Sequence, residues 1–157
     1  MAQRTLSSEG EKVVATNRKA RFLYEVLEKY EAGIELVGTE VKSLRAGAAN
    51  LTDAFALPKG RELVLLNLHI SPYEQGNRFN HPPTRPRRLL LHRREIARLA
   101  GMVSQKGLTL VPLRIYFKRR RAKVELGVCR GKKAHDKREA IKKRDLRRTE
   151  EREYRIR

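Results

Sequence analysis

The chain is 157 residues long and sets 37 Lys and Arg against 18 Asp and Glu, a net charge of +19 with a pI near 10.8. A field of that size attracts polyanions, nucleic acid first and an anionic membrane surface second, and says little about fold. No run approaches the ~20 apolar residues of a membrane span, the first twenty residues lack a leader's apolar core, and the one cysteine, Cys129, can make neither an internal disulfide nor a cysteine cluster for metal; a reducing cytoplasm is expected.

Residues 1–16 are polar, with Arg4 and Lys12 balanced by Glu9 and Glu11, and read as a flexible arm. From Phe22 to Leu36 seven of the eight even positions are apolar, which is strand period. A helical face through Leu23, Leu27, Tyr30 and Ile34 is the alternative; aromatic and branched content and Gly33 favour a long, bent strand. "GTEVKSLRAG" (38–47) then reads as a short helix, with Thr39 as cap, Glu40 as the first-turn acid and Gly47 as the left-handed stop. Its apolar Val41 and Leu44 sit three apart, and Lys42 and Arg45 repeat that spacing one step on. So few turns do not survive alone in water, so this helix must lean on a folded body.

"LTDAFAL" and "ELVLLNLHI" read as two strands joined by the turn "PKGR", and 71–88 as a loop rich in Pro, Gly and Asn. Ile96, Leu99, Ala100 and Val103 mark a second helix, weakened by Gly101. "LTLVPLRIYF" and "AKVELGV" form a closing hairpin with "KRRR" at its tip, edge-placed or bulged at Pro112, which has no N–H to donate. Short strands with small helices among them predict a mainly β fold, a small closed or nearly closed barrel over 17–130. From Arg130 onward, 13 cations meet 6 anions in 28 residues without a broad apolar face. The segment 131–157 is therefore expected to be disordered when free and helical on a partner.

Catalysis finds little support. The four histidines, His69, His81, His92 and His135, are far apart and lack metal-ligand spacing. His92 and Glu95 stand where they could share a metal, but helix-start chemistry explains them more simply. Asp53 and Glu40 are accounted for by a turn and a cap. Neither an enzyme nor a cofactor is expected. The cations say more. They cluster at 17–21, at Lys42 and Arg45, at 84–88, at 118–123 and at 130–133, and six arginines with no carboxylate lie between Asn77 and Glu95. Arginine predominates in three clusters, as suits bidentate grip on phosphate and stacking on bases, so Arg45, Arg87 and Arg88 join the candidate RNA contacts.

The strings "EAGIELVGTEVKSLRAGAANLTDAF", "RRLLLHRREI", "GLTLVPLRIYF" and "RGKKAHDKRE" closely resemble the small protein B family, the SsrA-binding proteins of bacterial trans-translation. The resemblance covers roughly residues 17–139. It implies an oligonucleotide-binding-like β-barrel that grips the tRNA-like domain of transfer-messenger RNA and acts as a monomer. It further implies entry into stalled ribosomes, at the decoding centre and mRNA channel, and indirect contact with elongation factor Tu and alanyl-tRNA synthetase through the RNA. On this chain the family's RNA-binding surface corresponds to Asn17, Lys19, Arg21, Glu31, Glu40, Val41, Lys42, Asn50, Leu90 and Lys123. Its ribosome-facing motif corresponds to Gly131, Lys132, Lys133, His135, Asp136, Lys137 and Arg138, with Tyr154 and Ile156 further along the tail. Two departures stand out: Phe22 and Leu23 replace a usual His and acid, and "KRRRAK" replaces a glycine-bearing turn.

The short helix is thus expected to be a rigid mount, with Val41 and Leu44 against the barrel and Lys42 and Arg45 presented to RNA. Glu31 and Glu40 are expected to accept hydrogen bonds from base edges or ribose hydroxyls. The plainer alternatives are an exposed strand position for Glu31 and helix capping for Glu40. Competing functions are a ribosomal protein or general RNA chaperone without a dedicated RNA, and an RNA-processing enzyme. A membrane-surface role fits less well, because the basic clusters lack an apolar helix face.

Overall fold

The computed structural model describes residues 10–75, 80–131, 142 and 144–149. In chain order the elements are β1 (Glu11–Thr16), α1 (Arg18–Leu23), β2 (Tyr24–Ile34), α2 (Gly38–Arg45), β3 (Ala49–Asn50), β4 (Phe55–Lys59), β5 (Glu62–Leu66), β6 (His69–Ile70), β7 (Arg87–Leu90), α3 (Arg93–Lys106), β8 (Thr109–Lys118) and β9 (Arg121–Gly131). The fold is mainly β. All pairings are antiparallel, in the order β1-β8-β4-β5-β7-β2-β9, and β8 also pairs with β9. Six strands are therefore linked in a ring, thinnest at β4–β8, where Ala56 opposite Leu110 is the one register pair. β1 lies outside it on β8, and β3 and β6 form a separate small sheet.

Inside the ring the core is built from alternating positions: Leu63 and Leu65 of β5, Leu89 of β7, Val124, Leu126 and Val128 of β9. β2 follows the even-numbered period read from the sequence, with Ala32 and Ile34 buried. A register shift between Val26 and Glu28 leaves Leu27 44% exposed, so the alternative helical face does not exist. Gly33 gives β2 and β7 a close approach: a Cβ there would lie 3.1 Å from the Leu90 Cβ. α3 closes over the core through Leu99 and passes straight through Gly101, ending at Gly107 in the left-handed region.

Several expectations need correction. The flexible arm does not reach residue 16, because residues 11–16 form β1, held by the buried Glu11 carboxylate, which accepts from Arg114 Nη1 at 3.1 Å. The long strand starts at Tyr24, since Arg18–Leu23 is helical and Phe22 belongs to α1. "LTDAFAL" becomes a strand only at Phe55, and "ELVLLNLHI" breaks at Asn67, which has φ 59°. In the tail, residues 142 and 144–149 are helical, and the Arg144 guanidinium lies 5.7 Å from the Phe22 ring.

The predicted β8–β9 hairpin forms, but its tip is two residues, not four, because Lys118 pairs with Arg121, and β9 runs on to Gly131. Pro112 is accommodated by the predicted bulge, with a register shift between Pro112 and Arg114. The two-residue tip, Arg119 and Arg120, has φ of 52° and 64°. Matching the twist of the strands demands left-handed backbone at both positions, a conformation that costs a non-glycine residue roughly 1–2 kcal/mol.

Candidate nucleic-acid interface

α2 is fixed from beneath by three different interactions. Leu44 is fully buried in the core, with Val41 packed beside it, so both apolar residues face inward as expected. Glu40 is 0% exposed and lies against Arg87, also 0% exposed. The Glu40 carboxylate accepts from Arg87 Nε, from Arg85 Nη2 at 2.5 Å and from the Val37 N–H at 3.0 Å. The remaining Arg87 donors reach the carbonyls of Leu68 at 2.6 Å and Pro83 at 3.1 Å. Burial pushes the Glu40 carboxyl up, but the hydrogen bonds from Arg85, Val37 and Arg87 outweigh it and hold the group below its ordinary value.

The third anchor is His81, buried beside the start of α2. Its Nε2 is 2.9 Å from the Ile70 carbonyl, which can only accept, so Nε2 carries the proton. Nδ1 then accepts from the Thr39 hydroxyl at 2.8 Å. Thr39 is therefore a tether and not the cap: the helix starts at Gly38, and Glu40 reaches back to the Val37 N–H. The far end stops as expected, with Gly47 at φ 76°. Lys42 and Arg45 emerge exposed from this mount, with Lys42 Nζ 5.4 Å from the Tyr73 ring and the Arg45 guanidinium 6.0 Å from the Phe117 ring.

Three candidate contacts turn inward instead. Glu40 and Arg87 are occupied with each other inside the protein, so neither presents a polar group to an external ligand. Asn17 is 2% exposed. Its Oδ1 caps α1 through the Ala20 N–H at 3.1 Å, and its Nδ2 donates to the carbonyls of Leu51 at 3.1 Å and Pro112 at 3.0 Å. The β8 bulge leaves the Pro112 and Leu113 carbonyls for Asn17, whose own N–H takes Leu113 at 2.7 Å. Asn17→Ala is expected to lower stability by about 2–4 kcal/mol, by loss of the cap and by leaving buried carbonyls without donors. A urea midpoint unchanged by the substitution, with RNA affinity reduced, would mark Asn17 as a ligand contact instead.

Three arginines of the acid-free run, Arg85, Arg87 and Arg88, are compensated in space. Arg85 and Arg87 meet Glu40, and Arg88 bridges Glu35 at 2.8 Å and Glu62 at 3.2 Å. Those acids come from elements far off in sequence. Lys19 is exposed and 3.5 Å from Asp53, and exposed Asn50 accepts from the N–H and hydroxyl of Thr52. Arg21 is exposed on the last turn of α1. Glu95 accepts the His92 N–H at 3.3 Å, so that pair is helix-start chemistry.

Glu31 stands in a partly open cluster across β2, β8 and β9. Its side chain is 28% exposed, and Oε2 accepts from the Tyr116 hydroxyl at 2.6 Å and Lys118 Nζ at 3.4 Å; Oε1 takes neither bond. Burial raises the carboxyl, but Tyr116, Lys118 and Lys123 together hold it below its ordinary value. Burial and Glu31 push the Tyr116 phenol well above its ordinary value. Lys123 is half-buried, and Leu90 is 48% exposed above Gly33. Tyr116 and Lys118 were not legible as Glu31's partners, because nothing local links residues 85 and 87 apart. Gly131 is exposed at the end of β9, whereas Lys132, Lys133, His135, Asp136, Lys137, Arg138, Tyr154 and Ile156 lie outside the described residues.

A mainly β body that carries cations on elements anchored by buried polar bonds, with an acceptor carboxylate among them, defines a nucleic-acid-binding protein. The family model described as SmpB protein matches residues 14–156. The chain belongs to the SmpB protein family. The SsrA-binding protein of Carboxydothermus hydrogenoformans is 61% identical over 147 residues, covering 94% of this chain and 99% of that one. That of Desulforamulus reducens is 57% identical over 158 residues, covering 100% and 98%. A solved structure described as "tmRNA-SmpB: a journey to the center of the bacterial ribosome" contains a chain 58% identical to this one. It superposes with a TM-score of 0.67 over 81% of this chain and 93% of the other.

Proposed function

We propose that this protein binds the tRNA-like domain of transfer-messenger RNA, the SsrA RNA, and delivers it to stalled ribosomes for trans-translation. The observation that carries the reading is likeness along almost the whole chain to proteins named for SsrA binding. The six-stranded ring is a small closed, oligonucleotide-binding-like barrel that takes the place of an anticodon arm. α2 and the Glu31 cluster face the RNA, with Lys42 and Arg45 gripping phosphate and Glu31 Oε1 accepting from base edges or ribose hydroxyls. Glu40 and Arg87 serve from inside by holding α2. The segment from Gly131 meets the decoding centre and probes the mRNA channel. The protein acts as a cytoplasmic monomer without catalysis, and meets elongation factor Tu and alanyl-tRNA synthetase only through the RNA.

The test is a comparison of affinities in physiological buffer. The full chain is expected to prefer the tRNA-like domain to a random duplex of equal length, and equal affinity overturns the reading. Lys42→Ala, in the same assay, is expected to weaken binding and to make the slope of log affinity against log salt shallower by ~0.7–0.9, the value for one phosphate contact. An unchanged slope and affinity would remove α2 from the interface.

A further inference from the structure

The hairpin tip is built against its own backbone preference. Among the described residues three non-glycine positions have positive φ, and two of them are the adjacent Arg119 and Arg120. A two-residue turn of this kind is satisfied most cheaply by Asn-Gly, and solubility alone needs no arginine at a left-handed position. Strain retained at an exposed tip points to what its side chains do.

Those side chains are exposed cations, as is Arg121 beside them. No ion pair among the described residues involves Arg119, Arg120 or Arg121, and no acidic residue occurs between Glu95 and Glu125. The tip also continues the surface already described. Arg121 sits opposite Lys118, whose Nζ reaches Glu31, and Tyr116 sits opposite Lys123. Phe117, just before the tip, lies 6.0 Å from the Arg45 guanidinium of α2.

We propose that Arg119, Arg120 and Arg121 form a phosphate-binding tip that extends the RNA interface beyond α2 and the Glu31 cluster. The proposal rests on the RNA-binding reading above. Three guanidiniums at one turn offer forked donors to successive phosphates of a folded RNA, a geometry that lysine does not match. The phosphates can belong to the transfer-messenger RNA or to ribosomal RNA.

The deciding variant is full-length Arg119→Asn/Arg120→Gly, which gives the turn residues its backbone favours and so retains the fold. Its melting temperature is expected to be equal to or above that of the parent. Its affinity is expected to fall on the order of tenfold, with a salt slope shallower by ~1.4–1.8 for two lost contacts. Arg119→Lys/Arg120→Lys is expected to keep most of the slope. Binding is measured to the isolated tRNA-like domain and, separately, to vacant ribosomes. A loss in the first arm assigns the phosphates to transfer-messenger RNA, a loss in the second to ribosomal RNA, and a loss in both to the two together. Parental affinity and slope in both arms overturn the proposal. A parent chain that binds neither RNA overturns instead the reading beneath it.

Discussion

Glu40→Ala is expected to destabilise the protein by about 3–5 kcal/mol, the range for removing one partner of a buried ion pair. Arg87 is fully enclosed, and without Glu40 its charge faces only the Leu68 and Pro83 carbonyls. Two carbonyl dipoles do not neutralise a buried guanidinium. Arg85 loses the same partner, and the Val37 N–H loses its acceptor. At ~2–4 °C per kcal/mol for a chain of this size, thermal unfolding should fall by roughly 6–20 °C. Glu40→Leu combined with Arg87→Met is expected to recover much of the loss, because an apolar pair of similar volume carries no desolvation cost. A melting temperature for Glu40→Ala within a degree or two of the parent would show that the pair does not hold α2.

Acid acts on the same group. The folded-state carboxyl of Glu40 is held below its ordinary value of 4.5, so its contribution is fully present above that pH. It is lost as pH falls through the depressed folded value, and Glu31 adds a loss of the same sign. Stability should therefore decline below about pH 4.5 in the parent and less steeply in Glu40→Leu/Arg87→Met. Denaturant midpoints measured across this range check the sign.

Legibility in the sequence followed distance along the chain. The β8–β9 hairpin, its arginine tip and the Pro112 bulge are local features, and all were readable from alternation and turn chemistry. The inward face of α2 was readable too, from two apolar residues three apart. β1 was not, because its burial pattern has no clean period and its anchor, Arg114, is 103 residues from Glu11. α1 was hidden because Phe22 continues the even-numbered apolar pattern of β2, while the helix depends on Asn17, whose amide partners are 34 and 95 residues away. The same limit misplaced Glu40 and Arg87. An acid and an arginine 47 residues apart look like two surface charges until the fold buries them together. Charge counting found the RNA-binding character of the chain but overstated the free cations at 84–88, since it could not see Glu35 and Glu62 arriving from β2's end and from β5.

Truncation after Arg138 is expected to abolish tagging of nascent chains while leaving affinity for the tRNA-like domain nearly intact. The removed residues carry eight cations and five anions, so the net charge falls only from +19 to +16 and the long-range attraction to RNA is almost unchanged. The six-stranded ring, α2 and the Glu31 cluster all precede the cut, and so does Gly131 with the basic motif that follows it. What is lost is the segment with helix-compatible spacing, which includes the helical residues 144–149 together with Tyr154 and Ile156. On a ribosome whose mRNA channel is empty, that segment would have room to enter. Intact mRNA would fill the same space, and this steric exclusion would confine the reaction to stalled complexes. A truncated chain that binds RNA and still supports tagging would move the recognition of stalled ribosomes into the folded body. Equal loss of binding and tagging would show that body and tail do not act separately.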